Sequence, residues 1–243
     1  MAQRPSLLLV DVGSESMQEL SLRLRQMSLH VIRTKTTEQG LDALVDPRYA
    51  IAAAVIPPDL PALDLEQALQ AFQEVCPEQS LPLLAYGRRP SADHRARMRR
   101  SGVEWALWLP LDDNTLRFQV NRSLAGGGPI VSSRRAARVP TNWPVRIQVG
   151  EREKPAKLYS VSARGAYLAT SRPSLPRSRI DLSLPLPSGD LPLAAEVVMT
   201  NVPGNLLRRN LPIGMGVCFR DPSEEVQRSI LSFTEQRAAW LRV

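Results

Sequence analysis

The sequence predicts an α/β plus β chain. A doubly wound (βα)5 domain occupies residues 1–124, and a six-stranded antiparallel barrel with a C-terminal helix occupies residues 134–243. Three observations predict this. Before residue 125, short wholly apolar runs alternate with segments of helical period, the pattern of a parallel sheet covered on both faces. At Ala125-Gly126-Gly127-Gly128-Pro129, three glycines and a proline can continue neither helix nor strand, which marks residues 125–133 as a flexible linker. Beyond it, short period-two segments and many prolines lead into one last helix, the texture of a small barrel. A length of 243 residues suits two domains, and a hydrophobic fraction of 43% is enough to bury two cores.

In the first half, Leu7 to Val10 is an apolar strand ending at Asp11. Met17, Leu20, Leu24 and Met27 recur at helical spacing. His30 to Arg33 is a short extended segment, and Ile51 to Ile56 is a second wholly apolar strand. Leu65, Leu69, Phe72 and Val75 mark a helix that Asp64 caps, with Gln67 three residues on. Leu83 to Tyr86 is a strand, Ala92 to Arg100 a helix, Ala106 to Leu109 a strand, and Thr115 to Leu124 a closing helix. These are five strands and four helices, and the alternation as a whole is read as five strands and five helices.

In the second half, Val145, Ile147 and Val149 alternate as a half-buried strand should. Leu158 to Leu168 reads as a strand, a turn or bulge at Gly165, and a return. Ile180 to Leu184 and Leu193 to Met199 continue the sheet, with Pro185 and Pro187 breaking it between. Gly214 to Phe219 is a further strand. Asp221-Pro222-Ser223-Glu224 starts a helix, with Asp221 as N-cap and Pro222 at its first position. Val226, Ile230, Phe233 and Trp240 line one face of that helix.

Composition excludes several function classes. No apolar run approaches the roughly 18–20 residues needed to cross a bilayer, and the first ten residues are too short for a cleaved leader. A cytoplasmic protein without membrane insertion is expected. Cys76 and Cys218 lie far apart, and His30 and His94 have no carboxylate or cysteine pattern around them, so no metal or disulfide framework is expected. There is no P-loop, no nucleophile–base set and no carboxylate cluster, so the chain does not read as an enzyme. Charge is uneven. Residues 1–124 hold 14 Lys+Arg against 15 Asp+Glu, and residues 125–243 hold 17 against 9. An anionic ligand or partner is therefore expected in the second half. No helix-turn-helix, zinc finger or RNP-like aromatic motif accompanies that charge, so nucleic acid is not expected.

The first half resembles the response-regulator receiver family over roughly residues 5–124, and departs from it where that family's chemistry lies. Of the acidic residues the family places after its first strand only Asp11 remains, followed by Val12 and Gly13. Aligned on Pro61, the position of the phosphorylated aspartate is Pro57, and Asp59 comes two residues too late. The switch Ser/Thr falls near Tyr86-Gly87, and the family's lysine before a proline becomes Leu109, ahead of Pro110. Phosphoryl transfer to a carboxylate needs the nucleophile, metal ligands and a cation. The resemblance therefore implies a pseudo-receiver kept as an interaction module, with homodimerisation one use of it. Arg88, Arg89, Arg95, Arg97, Arg99 and Arg100 form a basic run, either a solvated helix face or a docking face for a protein partner.

The second half resembles the PilZ family of bacterial receptors for cyclic diguanylate (c-di-GMP). It has Arg134-x-x-x-Arg138 on the approach to the barrel, then Ser160-x-Ser162-x-x-Gly165, then Gly214-x-Gly216-Val217-x-Phe219, in the family's order and spacing. The departure is Ser160, where the family has Asp or Asn. The resemblance implies that Arg134 and Arg138 grip phosphate oxygens and guanine O6 and N7, with Arg135 a third contact. Ser160 faces a guanine edge, and Ser162 offers its hydroxyl. Gly165 leaves room for backbone and base, or supplies a positive φ. Gly214, Gly216, Val217 and Phe219 read as strand geometry, and Trp143, Tyr167 and Trp240 as core aromatics.

Together these readings make the expected function a non-catalytic c-di-GMP effector that couples ligand binding to an unidentified protein partner in motility or related signalling. The alternative is a PilZ-like scaffold that has lost the nucleotide, in which Arg134 and Arg138 are dispensable.

Overall fold

A computed structural model of the protein describes residues 5–11, 13–59, 62–75, 81–125, 137–204 and 211–243. Two compact units emerge. One comprises residues up to Ser133 together with Trp240–Val243, and the other Arg134–Ala239. The last four residues thus group with the first unit, whereas the sequence groups them with the second half.

The first unit alternates strictly: β1 (Ser6–Val10), α1 (Glu15–Gln26), β2 (His30–Thr34), α2 (Thr37–Val45), β3 (Ile51–Ile56), α3 (Ala62–Val75), β4 (Leu83–Gly87), α4 (Ala92–Arg100), β5 (Val103–Trp108) and α5 (Asp113–Leu124). All pairings are parallel, in the order β2-β1-β3-β4-β5. Both faces of β1, β3, β4 and β5 are largely buried, whereas β2 exposes His30 and Arg33. Leu7 and Leu9 pack with Met17, Leu20, Leu116 and Val120 on one side. Leu8 and Val10 pack with Leu69, Phe72 and Met98 on the other. This two-sided burial is why the strands read as continuous apolar runs rather than alternating ones. Side-chain caps start the helices. The Ser14 hydroxyl accepts from the Met17 amide at 3.2 Å, and the Asp112 carboxylate accepts from the Asn114 and Thr115 amides, each at 3.0 Å.

Two expectations for this unit shift. The helix expected to be capped by Asp64 already begins at Ala62, because Ala62 and Leu63 are good helix formers that extend it backwards. Strand β5 runs Val103–Trp108 instead of 106–109.

The second unit is a closed barrel ordered β10-β11-β8-β7-β6-β9. Its strands are β6 (Val139–Val149), β7 (Arg152–Ser162), β8 (Gly165–Ala169), β9 (Arg179–Leu186), β10 (Gly189–Asn201) and β11 (Gly214–Phe219), followed by helix α6 (Glu224–Trp240). The turn between β7 and β8 is Ala163-Arg164, and Gly165 is the first residue of β8, paired with Ser162. Pro185 does not break β9. It pairs with Asp190 of β10, while β6 meets β9 only at Ile147↔Leu182 and Gln148↔Asp181. The missing N–H of Pro185 therefore falls on an unpaired side, where proline is tolerated. Strand β6 shifts register between Pro140 and Trp143, and Pro144 beyond it pairs with Lys157.

The start of α6 differs too. Asp221 has φ +42°, a left-handed conformation and not the extended one an N-cap needs. The cap is Ser223, whose hydroxyl accepts from the Val226 amide at 3.4 Å. Ile230 and Thr234 are the buried residues of α6, and Phe233 meets the Trp143 ring with centroids 5.0 Å apart. Trp240 is 40% exposed and leaves this face to lie with the first unit.

Candidate functional site

The antiparallel register of β6 and β7 sets Val139 against Val161 and Pro140 against Ser160. Arg138, just ahead of β6, is thereby brought beside the end of β7. Ser160 and Ser162 stand two residues apart on that strand, so both hydroxyls lie on the same face. The half-buried Arg138 guanidinium donates from Nη1 to the Ser160 hydroxyl at 3.3 Å and from Nη2 to the Ser162 hydroxyl at 3.4 Å. The Ser162 hydroxyl in turn donates to the Gly165 carbonyl at 3.1 Å. Both serines are buried. Two sequence motifs 22 residues apart thus converge on one planar cation held by two neutral oxygens. A guanidinium is a planar, multi-donor cation suited to pairing with anions.

Of the six predicted site residues, Arg138, Ser160, Ser162 and Gly165 come together, while Arg134 and Arg135 lie outside the described residues. Gly165 has no left-handed backbone to satisfy. Its constraint is crowding, since a Cβ there would stand 2.1 Å from the Val217 carbonyl oxygen of β11. Gly214 is held likewise, with a Cβ 2.1 Å from the Leu168 carbonyl oxygen. Both glycines let strands β8 and β11 approach. Next to the site on β7, Tyr159 meets Tyr167 edge-on with centroids 5.7 Å apart. The Tyr167 hydroxyl donates to the Pro212 carbonyl at 2.7 Å, and burial pushes that phenol up to about 12. Both rings are core, as the sequence predicts for Tyr167. A shallow cleft of about 440 Å³ opens at the β6–β9 seam among Arg146, Gln148, Asp181 and Pro192, and no predicted site residue lines it.

In the first unit, the carboxylate after β1 has a partner that the sequence does not reveal. Asp11 is buried and accepts from the Gly13 and Ser14 amides at 3.0 and 3.2 Å and from the guanidinium of Arg33, on the neighbouring strand β2. Burial pushes its pKa up, but the Arg33 hydrogen bond, the Gly13 amide and the Arg33 charge together outweigh this and hold it below the ordinary carboxylate value. Asp59 is exposed and Pro57 is buried. No group of three or more potential metal ligands occurs among the described residues. Of the basic run, Arg88, Arg89, Arg97, Arg99 and Arg100 are exposed and Arg95 is half-buried.

Comparisons with known proteins follow the same division. The PilZ domain family model matches residues 132–236. A two-component response regulator from Clostridium difficile is 16% identical, with 50% of this chain and 97% of that one covered at a TM-score of 0.43. The receiver domain of a sensor histidine kinase from Pseudomonas aeruginosa is 19% identical, with 51% and 99% covered at 0.43. The Bacillus subtilis inhibitor of motility MotI/DgrA is 20% identical, with 45% and 53% covered at 0.38. No curated protein matches the chain. Among the described residues no helix is long and apolar enough to cross a membrane. The strand order β2-β1-β3-β4-β5 is that of the flavodoxin-like doubly wound sheet to which receivers belong. The PilZ family model thus covers most of the barrel unit, which follows an α/β unit with the flavodoxin-like strand order.

Proposed function

We propose that this protein is a non-catalytic c-di-GMP effector, whose PilZ domain takes the ligand and whose receiver-like domain serves protein interaction without phosphorylation. The observation that carries the reading is the convergence of Arg138 on Ser160 and Ser162. In this reading Arg134, Arg135 and Arg138 meet the phosphates and guanine acceptor edges of the ligand, since a guanidinium pairs with both in two-point geometry. Ser162, tied to the Gly165 carbonyl, holds its hydroxyl at the strand end beside the ligand. Ser160 gives one neutral acceptor where a carboxylate or amide would give more. Loss of such a contact costs about 1–3 kcal/mol, roughly 10- to 150-fold in affinity. A ligand that binds one state of the chain better than another shifts it toward that state, and this difference is what a protein partner reads.

Phosphorylation is not part of this reading. Asp11, the one carboxylate at the end of β1, is neutralised by Arg33 from within the fold. Pro57 has no nucleophile, and Leu109 has no charge. The partner is a protein, met alone or as a second copy through the receiver-like domain.

Isothermal titration of c-di-GMP into the full chain tests the reading, with R134A/R138A as control. Low-micromolar binding that vanishes in the control supports a receptor. Absence of heat and of thermal stabilisation at saturating ligand overturns it in favour of a nucleotide-free scaffold. Incubation with a small-molecule phosphoryl donor and magnesium is expected to leave the mass of the chain unchanged, and a stoichiometric phosphoryl adduct would overturn the second half of the reading.

A further inference from the structure

Strand β5 is an edge of the first unit's sheet. An open edge presents unpaired N–H and C=O groups ready to pair with another strand. Here residues from the far end of the sequence cover part of it. Arg242 stands opposite Trp105 in an antiparallel bridge. The Ala106 N–H donates to the Leu241 carbonyl at 3.0 Å, and the Val243 N–H donates to the Glu104 carbonyl at 3.3 Å. Gln119 of α5 gives the Leu241 carbonyl a second donor at 2.9 Å.

The side chains follow a strand's period. Leu241 and Val243 are 2% and 1% exposed, and Val243 joins the core layer that holds Met98 and Trp108. Arg242, between them, brings its guanidinium to 5.5 Å from the centroid of the Trp105 ring, which Arg122 approaches at 3.7 Å. Just before, Trp240 receives the Arg89 guanidinium at 4.3 Å. The edge therefore offers a backbone ladder, two apolar seats and an aromatic ring for a cation. That is the recognition of an extended peptide by strand addition, where the backbone gives affinity and alternate side chains give specificity.

We propose that the β5 edge is a strand-docking surface for an apolar–cation–apolar segment, filled in cis by residues 241–243 and, once these are displaced, by the same residues of a second copy of this chain. The second copy is the partner that fits, because it carries the complementary segment and can repeat every one of these contacts. A short exchanged element is a low-cost route to a dimer. In a single chain the tethered segment wins by its high effective concentration, so the edge stays closed until it is released. The inference is independent of the nucleotide.

The probe is a labelled hexapeptide, Ala-Ala-Trp-Leu-Arg-Val, copied from residues 238–243. It is offered to the full chain, to a chain ending at Ala239 and to full-length Val243→Pro, which removes the donor to Glu104 and trades the buried valine side chain for a proline ring. Hydrogen exchange of the Ala106 amide is followed in each. The full chain is expected to leave the peptide unbound and to protect the Ala106 amide. Truncation is expected to lower that protection about tenfold or more, and added peptide to restore it, whereas a scrambled peptide binds neither chain. Equal uptake by full and truncated chains, or unchanged Ala106 protection in both variants, overturns the proposal. If the truncated chain loses its helical signal, Val243→Pro decides alone. Weakened protection with a gain in peptide uptake supports the proposal, and no change in either overturns it.

Discussion

In the proposed function, Ser160 is the residue on which ligand affinity turns. Its neutral hydroxyl accepts from Arg138 at 3.3 Å. Replacing it by aspartate supplies a charged, two-oxygen acceptor beside Arg138. Ser160→Asp is expected to tighten c-di-GMP binding roughly 10- to 150-fold, measured by isothermal titration. Unchanged affinity would show that this position does not limit binding. Gly165 needs a separate test, because its motif position suggests a ligand role while its surroundings show a packing one. A Cβ there meets backbone, the Val217 carbonyl oxygen, and not a flexible side chain. Gly165→Ala is expected to lose about 1–3 kcal/mol of barrel stability in urea unfolding, as overpacking does. A variant of full stability with lost binding would return the glycine to the ligand. The motif was legible in the sequence because its spacing is local. The reason for its glycine was not, since the crowding strand lies more than 50 residues downstream.

Elements were legible where both faces of a strand are buried and illegible where a partner lies far along the chain. The runs Leu7 to Val10 and Ile51 to Ile56 announce β1 and β3 by composition alone. Helix α2 shows no such signal. Over Thr37–Val45 it buries only Gly40 and Ala43, and Gly40 is there because a Cβ would press on the Phe72 ring at 3.2 Å. The α6 cap was misassigned because Asp221 and Ser223 are both plausible caps by type, and only backbone conformation separates them. The pairing of Asp11 with Arg33 was hidden because it joins the ends of two neighbouring strands 22 residues apart. It makes a prediction at the same scale. The Asp11 carboxyl is held below its unfolded value, so its contribution to stability is present above the unfolded carboxylate pKa and is lost as pH falls through the folded one. Arg33→Gln is expected to raise the Asp11 pKa and to lower the stability of the first unit at neutral pH more than at low pH. Carboxyl NMR titration with urea unfolding at both pH values checks this, and an unmoved titration would mean that the Gly13 and Ser14 amides alone hold the charge.

At the scale of the whole molecule the two units differ in charge and in fold. Residues 125–243 carry the excess of arginine, and the predicted site sits on the barrel they form. A ligand that binds only the native barrel stabilises it by mass action, about 2.7 kcal/mol at a hundredfold excess over Kd. A domain of this size shifts its Tm by about 4–8 °C per kcal/mol. Scanning calorimetry of the full chain is therefore expected to show a ligand-dependent transition for the barrel, rising by on the order of 10–20 °C at that excess. The behaviour of the other transition carries the further information. The chain leaves the first unit before the barrel and rejoins it at Trp240, so stabilising the barrel need not leave the β5 edge untouched. If the first unit's transition stays fixed while the barrel's rises, ligand energy is confined to the barrel and the partner must read that surface. If both rise together and the chain ending at Ala239 separates them, the signal passes through residues 240–243, and the receiver-like domain is its output.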